Sequence, residues 1–334
     1  MILVKKISIL ILFVFIVLYS IFRPKYDNHI IEGHAFGTTY SVNIYDKDFN
    51  QESLKMEIDS LINLINLDMS TYISHSNISV INKSEKGSYI ISEHFRKVLG
   101  KALAYCTMSD FYDITILPLM NIWGFGPENE FIVPNQSTIN KMLEFVNYNF
   151  LELSEGSLMK KNNKVQIDLN SLAKGYSVDL IGELLLKNNH EDFLIEIGGE
   201  LKSSGKNGKS NWIVGISNPA SDTIYVSVEL DNLSIATSGT YNNFFLYEDV
   251  EYSHLINPMD GYPIKHSTKS ASIIAKNCID ADAIATMSLL NPNPYNAIKL
   301  INEIDNVDAI ILIEDSDGEI VKIQSEGFDK FLSN

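Results

Sequence analysis

The chain has 334 residues, a formal net charge of −16, 45% hydrophobic and 20% charged residues, the balance of a globular protein long enough to bury a large core. So acidic a composition argues against non-specific nucleic-acid binding, which needs a positive face. Its two cysteines, Cys106 and Cys278, build neither a disulfide framework nor a metal cluster; they read as small buried hydrophobes, with a single bridge between them left open.

The N-terminus differs in kind from the rest. Lys5-Lys6 precede Ile7 to Phe22, a stretch without charge, and Arg23-Pro24-Lys25 follows. That length falls between a signal-peptide core and the ~20 apolar residues of a full span. No small-x-small cleavage site is evident, and no cysteine follows for lipid attachment. Residues 1–28 therefore read as an uncleaved single-pass anchor with a short polar linker, Arg23 and Lys25 reaching the interface. A cleaved signal segment is the alternative. Either reading places the remaining domain, 29–334, outside the cytoplasm, although basic residues on both flanks fix orientation weakly.

In chain order, the globular part begins near Gly33, and His34 to Tyr45 alternates as one strand. Leu54 to Leu67 carries Leu54, Ile58, Leu61, Ile62 and Ile65 on one helical face. Ser92 to Cys106 is a stronger helix, capped by Ser92, and Ser137 to Val146 is another. Val165-Gln166-Ile167 reads as a half-buried strand leading into a helix that carries Leu172, Tyr176, Leu180, Ile181 and Leu184. Strands follow at Phe193–Ile197, Trp212–Ile216, Ile224–Val228, Ala271–Ala275 and Ala309–Ile313, and Asp315-Ser-Asp-Gly-Glu319 makes a hairpin turn. Neighbouring strands with short turns and helices in separate blocks predict an α+β fold with largely antiparallel sheets. Gly198-Gly199 opens no helix and is not a dinucleotide fingerprint.

The segment Asp168-Leu-Asn-Ser-Leu-Ala-Lys-Gly-Tyr-Ser-Val-Asp179 packs a carboxylate, a hydroxyl, an amine and a glycine where an extended segment meets a helix. A helix N-terminus favours an anionic group. Asp168 can accept from a hydroxyl or ring N–H, Lys174 can offset phosphate charge, and Ser171 can sit near a cation. Simple N-capping by Asp168 or Asn170, with Lys174 solvated, explains the same residues. Further on, Asp282 and Thr286 lie four apart on a helix and project from one face. A carboxylate, a hydroxyl and backbone carbonyls are hard oxygen ligands suited to Mg²⁺ bound jointly with a pyrophosphate. Helix-terminus charge complementarity is the plainer account of Asp282.

Taken together, Gly37-Thr-Thr-Tyr40, Ser70-Thr-Tyr72, Phe111-Tyr-Asp-Ile-Thr115 leading into Pro118 to Gly126, Asp168 to Asp179, Gly198-Gly199, Ala236-Thr-Ser-Gly239 with His254 to Pro263, and Ala281 to Thr286 resemble, in sequence and order, the ApbE family of FAD:protein FMN transferases. The resemblance runs from about Gly33 to Leu290. It departs at Phe36, usually methionine, at Glu200 of Gly198-Gly199-Glu200, usually aspartate, and at Asn257 of His254-Leu-Ile-Asn257-Pro258, also usually aspartate.

The resemblance implies cation ligation by Ser171, Asp282, Ala285 (through its carbonyl) and Thr286. It implies FAD contacts at Phe36, Tyr72, Phe111, Tyr112, Asp113, Asp168, Lys174 and Ile256. Tyr72 and Tyr112 offer flat faces for ring stacking. His254 is the candidate general base, since an unperturbed imidazole near pKa ~6.5 is available neutral at pH 7. The implied reaction is Mg²⁺-dependent transfer of the FMN moiety of FAD to a Thr or Ser hydroxyl, with AMP leaving. The implied acceptor is a respiratory or electron-transfer flavoprotein bearing Asp-Gly-Ser/Thr-Gly/Ala-x-Thr. A Mg²⁺-dependent FAD pyrophosphatase and a non-catalytic flavin-binding membrane protein are the alternatives. The expected location is the bacterial inner membrane, with the domain on the periplasmic side.

Overall fold

A computed structural model describes residues 26–127, 131–240, 244–248 and 250–333. The expected apolar anchor, Ile7 to Phe22, lies outside these; among the described residues no helix is long and apolar enough to cross a membrane. The first half comprises β1 (Asp27–Ala35), β2 (Thr38–Asp46), α1 (Gln51–Met69), α2 (Asn77–Lys83), β3 (Gly87–Ile90), α3 (Glu93–Cys106), α4 (Leu117–Trp123), α5 (Gln136–Leu143), β4 (Leu151–Ser154), β5 (Ser157–Lys160) and α6 (Asn170–Lys187). The second half comprises β6 (Phe193–Ile197), β7 (Glu200–Ser204), β8 (Trp212–Ser217), β9 (Ile224–Leu230), β10 (Ser234–Gly239), β11 (Phe244–Tyr247), β12 (Val250–Ser253), β13 (Thr268–Ala275), α7 (Cys278–Leu290), α8 (Pro294–Asn302), β14 (Asp308–Glu314) and β15 (Ile320–Gln324).

Eight strands form the central sheet in the order β1-β2-β6-β7-β10-β13-β14-β15. Every neighbouring pair is antiparallel, as the α+β reading expects. Strand alternation sorts side chains to the two faces. Ala271, Ile273 and Ala236 face the main core beneath α7 and α3, whereas Ile235, Ile274 and Ile310 face a second cluster closed by β8, β9 and Phe328. The helix α7 is buried nearly all round, as expected of a helix enclosed by other layers. Cys106 and Cys278 are both free and buried, so no bridge joins them.

Several sequence expectations change. His34 to Tyr45 is not one strand but parts of a hairpin, because Phe36 (φ 51°) and Gly37 (φ 79°) form a two-residue turn. Positive φ at both positions matches the twist of a tight hairpin. The sheet therefore starts at Asp27, inside what reads as a linker, since Asp27 pairs with Asp46. Val165 and Ile167 are fully buried, yet among the described residues this segment's ladder contact is an isolated bridge between Gln166 and Ile116. Cys278 is the first residue of α7.

Candidate functional site

The centre of the molecule holds a cavity of about 910 Å³, the size range of cofactor sites. Its walls come from the β1–β2 turn, the segment after α1, the segment before α4, the N-terminus of α6, the β6–β7 turn, β10, the segment after β12, and α7. Each motif singled out in the sequence contributes to that wall.

The α6 end is built by relayed hydrogen bonds. The Asn82 amide spans the Ile167 backbone, donating to its carbonyl at 2.8 Å and accepting from its N–H at 2.7 Å. Buried Lys160 donates to the carbonyls of Ile81, Asn82 and Ser84 at 2.8 to 3.1 Å and so fixes Asn82. Burial lowers the Lys160 ammonium to about 8. Asp168 is thereby held at the start of α6, where its carboxylate accepts from Asn170 N–H at 2.8 Å and from the Asn170 amide at 2.9 Å. Burial raises its pKa to about 6, against the pull of the Asn170 N–H. Neither Asp168 nor Asn170 is the N-cap of α6: that position is Leu169, which makes no side-chain cap bond, and Asp168, one residue earlier, accepts from the first helical N–H and lines the cavity.

Gly175 explains why the motif needs a glycine. A Cβ there would stand 2.5 Å from the Cys278 carbonyl oxygen and 2.8 Å from Asp282 Cβ, so only glycine lets α6 and α7 cross so closely. The bare backbone then donates from Gly175 N to Asp282 Oδ2 at 2.9 Å. One turn on, Asp179 accepts from Cys278 N and Ile279 N, both at 3.0 Å, and caps α7 from outside the helix. The motif thus locks two helices together besides presenting chemistry.

Asp282 is 3% exposed. Burial raises its pKa, opposed by the Lys174 charge and the Gly175 N–H. A buried carboxylate without a full set of partners is costly, which points to a ligand and away from simple helix-terminus complementarity. Thr286 Oγ1 lies 3.2 Å from Ser238 Oγ of β10, and Ser171 Oγ lies 2.7 Å from the Tyr112 hydroxyl. Ser171, Asp282 and Thr286 all line the cavity; Ala285 does not. Ala285 is fully buried, and its carbonyl stands mid-helix in the ladder of α7.

The expected flavin-contacting residues Phe36, Tyr72, Phe111, Tyr112, Asp113, Asp168, Lys174 and Ile256 all line the same cavity. They differ in what they can offer. Tyr72 is 59% exposed, its hydroxyl donating to the Phe125 carbonyl at 3.2 Å, so a ring face remains open for stacking. Tyr112 is buried in the core and presents chiefly its hydroxyl. Asp113 accepts from Thr115 N and Oγ1 and from Tyr148 N. Most of its acceptor capacity shapes its own loop, and burial raises its pKa. Lys174 does not stand free in solvent: it is half-buried and its ammonium pairs with Glu200. Burial lowers the Lys174 pKa, but Glu200 and Asp282 outweigh it and hold the ammonium above its usual range.

His254 follows β12 and lines the cavity beside Phe125, ring centroids 6.5 Å apart. Its segment closes on itself through Gly261 N to the Asn257 carbonyl and Asn257 N to the Tyr262 carbonyl. The Trp123 indole, donating to the Gly261 carbonyl at 2.8 Å, fastens the segment to α4. Asn257 keeps the turn expected of an aspartate there, because its Oδ1 accepts from Met259 N at 2.9 Å.

Two features escape the sequence reading. Glu200, seen only as a motif departure, is 2% exposed and lines the cavity. Gly198 (φ 59°) and Gly199 (φ 104°) make the turn that sets it at the start of β7. The β11–β12 hairpin brings Phe245 against Phe125 and Phe131 near His254, at centroid distances of 5.2 and 4.9 Å.

Comparison with known proteins points one way. The model of the ApbE family matches residues 36–311. A FAD:protein FMN transferase from Vibrio cholerae serotype O1 is 30% identical over 320 residues, 93% of this chain and 94% of that protein. One from Haemophilus influenzae is 30% identical over 88% of this chain and 89% of its own length. Among solved structures, the flavin transferase ApbE from Vibrio cholerae superposes with a TM-score of 0.84 at 27% identity, covering 92% of this chain and 100% of its own. The apo flavinyl transferase ApbE of Pseudomonas stutzeri gives 0.84 at 28% identity, covering 92% and 98%.

Proposed function

This chain belongs to the ApbE family, and on that premise we propose that it transfers the FMN moiety of FAD to a threonine or serine hydroxyl of a partner flavoprotein. The observation that carries the reading is the convergence on one cavity of open Tyr72, buried Asp168, the Lys174–Glu200 pair, Asp282 with Thr286, and His254. Tyr72 offers the flavin a ring face, and Asp168 accepts from a ring or ribose donor. Lys174 supplies positive charge for the diphosphate.

The donor set also fits a divalent cation of the Mg²⁺ type: the Asp282 carboxylate and the hydroxyls of Ser171 and Thr286 are hard oxygens on one wall, and a further buried carboxylate oxygen, Glu200 Oε2, has no hydrogen-bond partner among the described residues. When bound, such an ion would neutralise diphosphate charge and act as a Lewis acid. In the chemical step His254 takes the proton of the acceptor hydroxyl as its oxygen bonds to the flavin-side phosphorus. The bond from that phosphorus to the bridging oxygen breaks, and AMP departs with the bridging oxygen. Lys174 pairs with the reacting phosphates, and Asp282 would hold the cation that neutralises them. The apolar segment Ile7 to Phe22 anchors the domain, in this reading, on the outer side of the bacterial inner membrane.

The test is AMP release from FAD with Mg²⁺, with and without an acceptor peptide bearing the family motif. Release that requires the peptide supports transfer. Equal release without it assigns the site to hydrolysis.

A further inference from the structure

Glu200 stands with Asp282 beside the Lys174 ammonium. The Glu200 side chain is 2% exposed, lines the cavity and gives one oxygen, Oε1, to the Lys174 ammonium. Its other oxygen, Oε2, is buried and has no hydrogen-bond partner among the described residues. An unmet buried carboxylate oxygen costs several times what a made hydrogen bond returns, so a purely structural Glu200–Lys174 pair would be poorly designed.

The fold also fixes what lies around it. Glu200 opens β7 and pairs with Ala236 of β10. Two residues on, Ser238 meets Thr286 of α7 at 3.2 Å. Lys174, on the far end of the Glu200 pair, precedes Gly175, whose N–H holds Asp282 Oδ2 at 2.9 Å. Glu200, Asp282 and Thr286 therefore stand on one wall of the cavity, tied through two short relays. This wall sets one ammonium against two carboxyl groups in a buried place. Divalent cations are held by carboxylate and hydroxyl oxygens in such settings.

We propose that Glu200 is a carboxylate ligand of the divalent cation, its Oε2 joining Asp282, Thr286 and Ser171 while Oε1 retains Lys174. The double use gives the pair a purpose. One glutamate ties the cation to the ammonium that faces the diphosphate, so the two positive groups are set at a fixed spacing. The proposal rests on the cation reading of this cavity and extends it to a residue outside the four that the resemblance implies.

The test uses the full chain without FAD and titrates Mn²⁺ alone, reading free Mn²⁺ by its paramagnetic resonance signal. One high-affinity site is expected in the wild type. Glu200→Gln, which keeps the size and an acceptor for Lys174, should weaken that site at least tenfold. Should the lone ammonium left in that variant disturb folding, Lys174→Gln and Lys174→Gln/Glu200→Gln give the same comparison with that ammonium removed from both. The double variant should bind Mn²⁺ at least tenfold more weakly than the single one. Wild-type affinity in Glu200→Gln, or equal affinity in the Lys174 pair of variants, overturns the proposal. Asp282→Asn separates the two levels: weak binding there beside tight binding in Glu200→Gln sinks Glu200 alone, whereas tight binding in Asp282→Asn sinks the cation site itself.

Discussion

Replacing Gly175 with alanine perturbs the site while leaving the identity of every side chain that carries chemistry unchanged. The new Cβ would meet the Cys278 carbonyl oxygen at 2.5 Å, where ordinary contact begins at 3.4 Å. The helices must part by 3.4 − 2.5 = 0.9 Å, and the obstacle is backbone, which cannot swing aside as a side chain would. Overpacking of this kind costs up to about 3 kcal/mol. Alanine returns about 1 kcal/mol of helix propensity. The net loss is about 2 kcal/mol, a fall in Tm of about 4 °C for a domain this large. Because Gly175 N holds Asp282 Oδ2, the same displacement should lower Mn²⁺ affinity and turnover at least tenfold. Calorimetry and Mn²⁺ titration on the same sample check both. An alanine variant that melts and binds Mn²⁺ as the wild type does would refute the account of why the motif contains glycine.

Other predictions are independent of that helix crossing. Asp282→Asn should lose turnover by at least a hundredfold while remaining folded, and chelator should do the same to the wild type, with Mg²⁺ restoring it; activity that survives chelation contradicts the cation site. His254→Ala should keep FAD affinity and lose ~10²–10⁴-fold in rate, the usual cost of a positioned acid-base group; a loss confined to FAD affinity would make His254 a binding residue. Asp168 is held near 6 by burial, above the ordinary 3.8, so its neutral form is favoured by folding. Its stabilising contribution is full below about pH 3.8 and is lost as pH rises through about 6, a difference of roughly 3 kcal/mol. Asp168→Asn should therefore gain stability relative to the wild type above pH 6, with the gap closing toward pH 4. Denaturant melts across that range read the sign, and a gap that widens on acidification contradicts it. A chain beginning at Tyr26 should be soluble and active, since β1 starts at Asp27, while the full chain should resist carbonate extraction from membranes; a full chain that carbonate releases contradicts the anchor.

Much of the site was legible because its chemistry is local in sequence. Asp282 and Thr286 announce themselves by helical spacing, and Asp168 to Asp179 by the change from extended to helical pattern. Helices with a clear apolar stripe and a cap were equally readable: Ser92 Oγ accepts from Phe95 N at 3.0 Å, as its position suggests. The β1–β2 hairpin was not legible, because its turn uses Phe36 at positive φ where asparagine would normally signal it. The four-residue strands β3, β4 and β5 are too short to establish a period. The pairing of Lys174 with Glu200 joins residues 26 apart and depends on a glycine turn and a helix packed over β7, so no spacing rule reaches it. Asp179, whose role is to cap another helix 99 residues away, was hidden for the same reason.

The central claim is that this cavity moves FMN onto a protein hydroxyl. The most direct measurement incubates the part of the chain from Tyr26 onward with FAD, Mg²⁺ and an acceptor peptide containing Asp-Gly-Ser/Thr-Gly/Ala-x-Thr, and weighs the peptide by mass spectrometry. The account predicts a peptide heavier by one FMN group on its final threonine, with AMP released in equal amount. A peptide of unchanged mass beside free FMN and AMP, when another transferase modifies the same peptide, would contradict it.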